Sequence, residues 1–207
     1  FDKKNPFISI SAILAFVGVS IGVMVLILSM AIMNGTAKEF ERKLFTMNYP
    51  LTIYPKMDNS LNEDLLVKLQ NEYPKLKFSP FISSQAIIQS GDAMSGGMIF
   101  GVIPEKEALI NPIYKEALAD LKPEKYDIIT GSGISDKLLL NDGSKATLYF
   151  TELNPTGFSM MPKMKRFTYI TSFTSGLNAY DKSYMYTSME ALQSLLKKDV
   201  GAYDGIH

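Results

Sequence analysis

The chain has 207 residues, with 21 lysines and arginines against 21 aspartates and glutamates. That balance leaves no basic surplus for nucleic acid and no acidic surface for a basic partner. Cysteine is absent, which removes disulfides, thiolate metal sites and cysteine nucleophiles, and the one histidine, His207, stands last.

No charged residue lies between Lys4 and Lys38. An apolar helix needs roughly 20 residues to cross a hydrocarbon core of about 30 Å, and residues 6–33 exceed that. In lipid the backbone must satisfy its own hydrogen bonds, so this stretch is expected to be helical. Asn5 suits its N-cap and Pro6 its first turn. A signal peptide is the competing account, but its apolar part is normally about 7–15 residues. Lys3 and Lys4 flank one end; Lys38, Arg42 and Lys43 flank the other, with Glu39 and Glu41 among them. That count does not orient the helix. Small residues recur at Ser11, Ala15, Gly18, Gly22 and Ser29, and Gly18 with Gly22 forms a GxxxG. Ala15, Gly18 and Gly22 are therefore candidate packing residues against another membrane helix, chance being the alternative. Asn34-Gly35 punctuates the run, and Ala37, Phe40, Leu44 and Met47 predict an amphipathic continuation, out of the bilayer or flat upon it.

Residues 49–55 alternate between prolines and predict a strand. Ser60-Leu61-Asn62-Glu63 predicts a capping box, with a helix carrying Leu65, Leu66, Leu69 and Tyr73 inward and ending at Pro74. Residues 76–82 predict a second strand with Pro80 at an edge or bend. Strand, helix and strand make a βαβ-sized unit. After Ser84 short strands and turns follow: 86–90 and 97–103 around Gly91-Asp92, helical turns at 104–111 and 112–121, a strand at 126–130, a helix at 132–140. Strands at 145–150, 166–175 and 184–187 and a helix at 188–196 complete the series, with residues 155–165 as a loop and 202–207 opening a new element. The start at Phe1 and the unfinished end predict a piece of a longer protein.

Chemistry finds little footing. The usual nucleophile–base pairs are missing, and no metal cluster stands out. The pairs Glu105/Glu107 and Asp120/Glu124 predict solvated surface. Gly131-Ser132-Gly133 opens a helix after a strand, as a dinucleotide fingerprint would, but Asp136 stands where the third glycine belongs. The two glycines are expected to serve a tight strand-to-helix turn. The loop carries Phe158, Met160, Met161 and Met164 beside Pro155 and Pro162, with Lys163, Lys165 and Arg166 adding positive charge. Met side chains suit adaptable binding surfaces, so the loop either grips a partner or folds back on its own sheet.

Five segments carry a resemblance: Met33-Asn34-Gly35 with Glu39-Phe40 and Leu44; Ser90-Gly91 with Gly101-Val102-Ile103-Pro104; Ile128-Ile129-Thr130-Gly131 through Gly143; Phe158 and Pro162 before Phe167; and Gly201-Ala202-Tyr203-Asp204-Gly205-Ile206. Together they resemble the permease subunit of the lipoprotein-releasing ABC transporter, the LolC/LolE type with its single-permease LolF form. Thr36-Ala37-Lys38 departs from the family's Phe-Glu after Asn-Gly.

The resemblance implies an α+β fold. A transmembrane helix with its extension (1–47) would precede a MacB-like periplasmic domain, built of a membrane-proximal βαβ part (48–85, completed by 201–207) and a strand-rich distal part (86–200). It implies a bacterial inner-membrane protein with a cytoplasmic N-terminus, no cofactor of its own and no catalysis. ATP and magnesium would be bound by partner ATPase subunits, and a second permease, identical or homologous, would complete the transporter. The acylated lipoprotein would pass to a periplasmic carrier. Pro155, Phe158, Met160, Met161, Pro162, Lys163, Met164 and Arg166 would form the carrier-binding loop. Val25, Ile27, Leu28, Met30 and Met33 would face acyl chains. The alternative is a related signalling permease that activates a cell-wall hydrolase and transports nothing; an anchored periplasmic enzyme is the third and weakest account.

Overall fold

The computed structural model describes residues 6–56, 60–150 and 163–207, with side chains from Ile10 onward. Contacts divide the chain into two units, one reaching Arg42 and one spanning Lys43–His207.

The first unit is the greater part of α1 (Pro6–Asn48), and every side chain from Ile10 to Arg42 is exposed. The uncharged part of this helix is roughly 50 Å long at 1.5 Å per residue, more than a hydrocarbon core requires. The helix runs on through Asn34-Gly35 to Asn48, the continuation that the spacing of Ala37, Phe40, Leu44 and Met47 predicts. A glycine inside a helix costs only about 1 kcal/mol relative to alanine. Thr36 Oγ1 also donates back to the carbonyls of Ile32 and Met33, both at 3.0 Å, which holds that turn closed.

In the second unit the elements follow as β1 (Leu61–Asn62), α2 (Glu63–Glu72), β2 (Pro80–Ser90), β3 (Ala93–Val102), α3 (Pro104–Ile110) and α4 (Pro112–Leu118). Then come β4 (Asp127–Gly131), α5 (Ser132–Leu138), β5 (Lys145–Phe150), β6 (Lys163–Phe173), α6 (Asn178–Asp181), β7 (Tyr184–Ser188), α7 (Met189–Leu196), β8 (Ala202–Tyr203) and β9 (Gly205–Ile206). Helices and strands are thus both present, as the α+β expectation requires.

The sheet runs β3-β7-β4-β6-β5-β2-β9, and β2 also pairs with β3. Six strands therefore close on themselves, which removes free edges. Residues alternate between the two faces, as strands demand. Ile82, Ile128 and Met185 point into one core with α5 and α7, while their neighbours Phe81, Ile129 and Tyr186 join a second core with α3, α4 and Met47. The β2–β3 hairpin turns through Gly91-Asp92, Gly91 taking a φ of 57° that glycine adopts freely.

Three local expectations shift. The strand over 49–55 shrinks to one bridge, Ile53 exchanging backbone hydrogen bonds with Ile206 at 2.8 and 3.0 Å. Pro50 and Pro55 bracket that segment and carry no N–H to extend a ladder. The α2 cap is Asn62, not Ser60: Asn62 Oδ1 accepts from Leu65 N at 3.1 Å, while Leu61 and Asn62 pair with β8. The strand at 76–82 starts at Pro80 and runs on to Ser90. Ile53 and β2 both lie antiparallel to β9, hence parallel to each other, so the βαβ unit is split by β9.

Gly131 serves close approach, not an unusual turn. Its φ of −62° is open to any residue, but a Cβ there would collide with the Asp181 backbone of α6. Asp181 is in turn fixed, its carboxylate accepting from Ser175 N and Ser175 Oγ at 2.7 Å and from Gly176 N at 3.1 Å.

Candidate functional site

The most chemically distinctive place in the second unit is where α1 ends. Met47 is buried in the second core. Helices commonly close on a left-handed residue, usually glycine. Here that residue is Tyr49, at φ 52°, a conformation that costs a non-glycine residue roughly 1–2 kcal/mol. Such strain persists where the surroundings determine it.

Those surroundings are a buried polar cluster. Tyr49 donates its hydroxyl hydrogen to Glu107 Oε1, and Ser79 Oγ donates to Glu107 Oε2 at 2.7 Å. Asn111 Nδ2 reaches Tyr49 Oη at 2.9 Å, Glu107 Oε1 at 3.3 Å and Tyr186 Oη at 3.5 Å. Asn111 Oδ1 meanwhile caps α4 through Tyr114 N at 3.0 Å. Glu107 is wholly buried. Burial raises its pKa above the ordinary carboxyl value, and the bonds from Tyr49, Ser79 and Asn111 pull the other way. Burial also raises the Tyr49 phenol, with the neighbouring Tyr186 and Glu107 adding to it.

His207 completes the cluster. Its ring is sandwiched between Tyr49 (centroids 3.7 Å apart) and Phe81 (4.1 Å), nearly parallel to both. Its Nδ1 lies 3.0 Å from Thr52 Oγ1, and its backbone pairs with Ser79 at 2.9 and 3.0 Å. Burial lowers its pKa to about 4, so the ring is neutral at physiological pH. Tyr49 and His207 line two spaces. One is a cavity of about 110 Å³ with Phe81, Phe100, Tyr184 and Tyr186; the other is an apolar groove of about 400 Å³ with Phe45, Leu51, Phe78 and Leu109.

This cluster corrects one reading: Glu105 is exposed as expected, but Glu107 is core. The available signal was its spacing. Glu107 and Asn111 stand four apart and share a helical face with apolar Ala108.

The residues singled out in the sequence are elsewhere. Val25, Ile27, Leu28, Met30 and Met33 are all more than half exposed along α1, and Ala15, Gly18 and Gly22 are exposed beside them. Pro155, Phe158, Met160, Met161 and Pro162 lie outside the described residues. Lys163, Met164 and Arg166 are not loop residues but the start of β6, paired with Phe150, Tyr149 and Thr147. Met164 is exposed, and Lys165 Nζ sits 4.3 Å from the Tyr126 ring centroid, a cation–π contact. Among the described residues no group of His, Asp and Glu could hold a metal ion.

No protein-family model matches the chain. It is 27% identical over 202 residues to the lipoprotein-releasing system transmembrane protein LolC of Xylella fastidiosa, covering 95% of this chain and 49% of that protein. The chain is similar to LolC. The LolC of Neisseria meningitidis serogroup B matches at 27% over 203 residues, with the same coverage of 95% and 49%. The LolE of Haemophilus influenzae matches at 26% over 163 residues, 73% of this chain and 38% of that protein. The resemblance to the LolC/LolE family thus extends over nearly all of the chain, and the chain spans about half the length of the curated LolC proteins it matches. Among solved structures, the extracellular domain of the noncanonical ABC-type transporter YknZ from Gram-positive bacteria superposes with a TM-score of 0.51 at 12% identity. That match covers 75% of this chain and 81% of the YknZ chain, and it carries the fold alone. The periplasmic region of MacB from Actinobacillus actinomycetemcomitans gives a TM-score of 0.41 at 11% identity.

Proposed function

We propose that the chain belongs to a permease subunit of an ABC transporter that takes lipoproteins out of a bacterial inner membrane and hands them to a periplasmic carrier. The observation that carries this reading is the similarity to LolC along 95% of the chain, uncharged helix included. The N-terminus is then cytoplasmic and the larger unit periplasmic. ATP and magnesium are handled by separate ATPase subunits, with a second permease, identical or homologous, completing the pair. No catalytic step falls to this chain. Residues 48–85 with 201–207 form one part and 86–200 the other, a division supported by the split βαβ pairing of Ile53, β9 and β2.

Two surfaces do the work. Val25, Ile27, Leu28, Met30 and Met33 offer acyl chains an apolar, partly unbranched face, all of them exposed along α1. Pro155, Phe158, Met160, Met161 and Pro162, with Lys163, Met164 and Arg166 at the start of β6, grip the carrier. Exposed Met164, projecting from the strand that leads out of that segment, supports the reading. Carrier binding to the complete permease in detergent tests it. Phe158→Ala and Met161→Asp are each expected to weaken binding at least tenfold while the thermal unfolding midpoint stays put. Binding unchanged in both would remove the carrier role from this segment.

A further inference from the structure

At Tyr49 the backbone works against its own sequence. Its φ of 52° is left-handed, and the next residue is Pro50. A proline pushes the residue before it toward extended backbone, with φ near about −120°, because its Cδ crowds that residue's N–H and Cβ. The sequence therefore favours an extended residue at 49, and the fold holds a left-handed one. Strain of this kind is found at switch points, where a conformation lasts only while its surroundings enforce it.

Two anchors enforce it. On one side the Tyr49 phenol donates to Glu107 Oε1 on α3. On the other, Asn48 Oδ1 accepts from Tyr180 Oη of α6 at 2.6 Å, and Lys43 Nζ lies over Gly176, 2.6 Å from where a Cβ would stand. All of these residues belong to the unit spanning Lys43–His207. Between the anchors, Met47 is the one buried side chain in the stretch 43–49. Lifting that stretch off therefore exposes little apolar surface, the condition for opening locally rather than with the whole fold.

The Glu107 end is left satisfied when the phenol departs. Glu107 Oε2 keeps Ser79 Oγ at 2.7 Å. Oε1 keeps Asn111 Nδ2, which stands 3.3 Å away and is shared with Tyr49 Oη at 2.9 Å. Freed of the phenol, that amide is able to close on the carboxylate, so the buried acid retains a donor on each oxygen. Residue 49 meanwhile relaxes to the extended backbone that Pro50 favours. Both arrangements are satisfied, so a small free-energy difference divides the population between them.

We propose that Tyr49 and Glu107 form a latch: residues 44–49 leave the folded unit together and return to it while the closed sheet stays intact. The latch lies where α1 joins that unit, and opening it frees the end of the helix from α3. The inference does not rest on the transport reading.

The chain has no cysteine, so a single introduced thiol reports opening without background. The test is the rate of maleimide labelling of the full chain in a maltoside detergent. Met47→Cys places the thiol under the latch, and Ser84→Cys places it in β2, where Ser84 is equally buried. The Met47→Cys thiol is expected to label about tenfold faster than the Ser84→Cys thiol, at urea concentrations well below unfolding. Tyr49→Phe keeps the ring and removes the donor; added to Met47→Cys, it is expected to speed labelling about another tenfold. Added to Ser84→Cys, it changes nothing. Tyr180→Phe, at the other anchor, is expected to speed labelling at the same position, because the stretch opens as one piece. Thr46→Cys, half-buried beside Met47, repeats the measurement should Met47→Cys fail to fold. Labelling under the latch unmoved by Tyr49→Phe, or labelling in β2 sped as much, would overturn the proposal.

Discussion

The imidazole of His207 is held flat between two rings and kept neutral by burial. Its pKa is about 4 when folded against 6.5 when free, so on acidification the unfolded chain takes up the proton first. Stability is therefore lost as pH falls from about 6.5 toward 4, by about 3 kcal/mol if this group acts alone. Glu107 works in the opposite direction: its raised pKa means the folded chain binds that proton earlier, which favours folding as pH falls. His207→Phe keeps the stack and removes the titration. Urea unfolding from pH 7 to pH 4.5 is expected to show wild-type stability falling with acid and the variant nearly flat; equal slopes would show that His207 is not the group responsible. Little of this was legible beforehand. Glu105 and Glu107 are alike in composition, and only the tertiary approach of Tyr49 and Ser79 separates an exposed acid from a buried one.

Short elements are fixed by single contacts, and two substitutions expose this. Asn62→Ala removes the side-chain cap of α2 and is expected to cost about 1 kcal/mol in denaturant unfolding, while Ser60→Ala changes little. Gly131→Ala drives a methyl group into the α6 backbone and is expected to cost about 1–3 kcal/mol, against a few tenths for Gly96→Ala, where a Cβ meets nothing within 4 Å. Equal effects at the two glycines would show that α6 does not press on β4. Where strands carry their own pattern they were legible: β5 was expected at 145–150, and Ala146, Leu148 and Phe150 are the buried face of Lys145–Phe150. Where pairing depends on distant residues they were not. The Ile53 bridge needs Ile206, and β9 is two residues long, too short for any period. The passage of α1 through Asn34-Gly35 was legible from the helical spacing of Ala37, Phe40, Leu44 and Met47 beyond it. Glycine lowers helix propensity only modestly, and a continuous backbone ladder with the Thr36 back-bonds outweighs it.

Two kinds of surface are present among the described residues: a long helix from Pro6, uncharged as far as Ala37, and a closed mixed sheet covered by short helices. Amphiphilic division at this scale was plain in the sequence, because a run without charge between Lys4 and Lys38 has few other physical uses. Closure of the sheet was not, since it depends on β2 using both of its edges along one long strand. The proposed transport role unites the two surfaces, the helix meeting acyl chains and the folded unit meeting the carrier. The most direct measurement is lipoprotein release from vesicles holding the complete permease with its ATPase partner. ATP-dependent transfer of an acylated lipoprotein to the soluble carrier is expected, with Phe158→Ala lowering the rate at least tenfold and leaving ATP hydrolysis intact. Transfer that proceeds equally from vesicles lacking the permease, or no transfer at all with ATPase and carrier both active, would contradict the account.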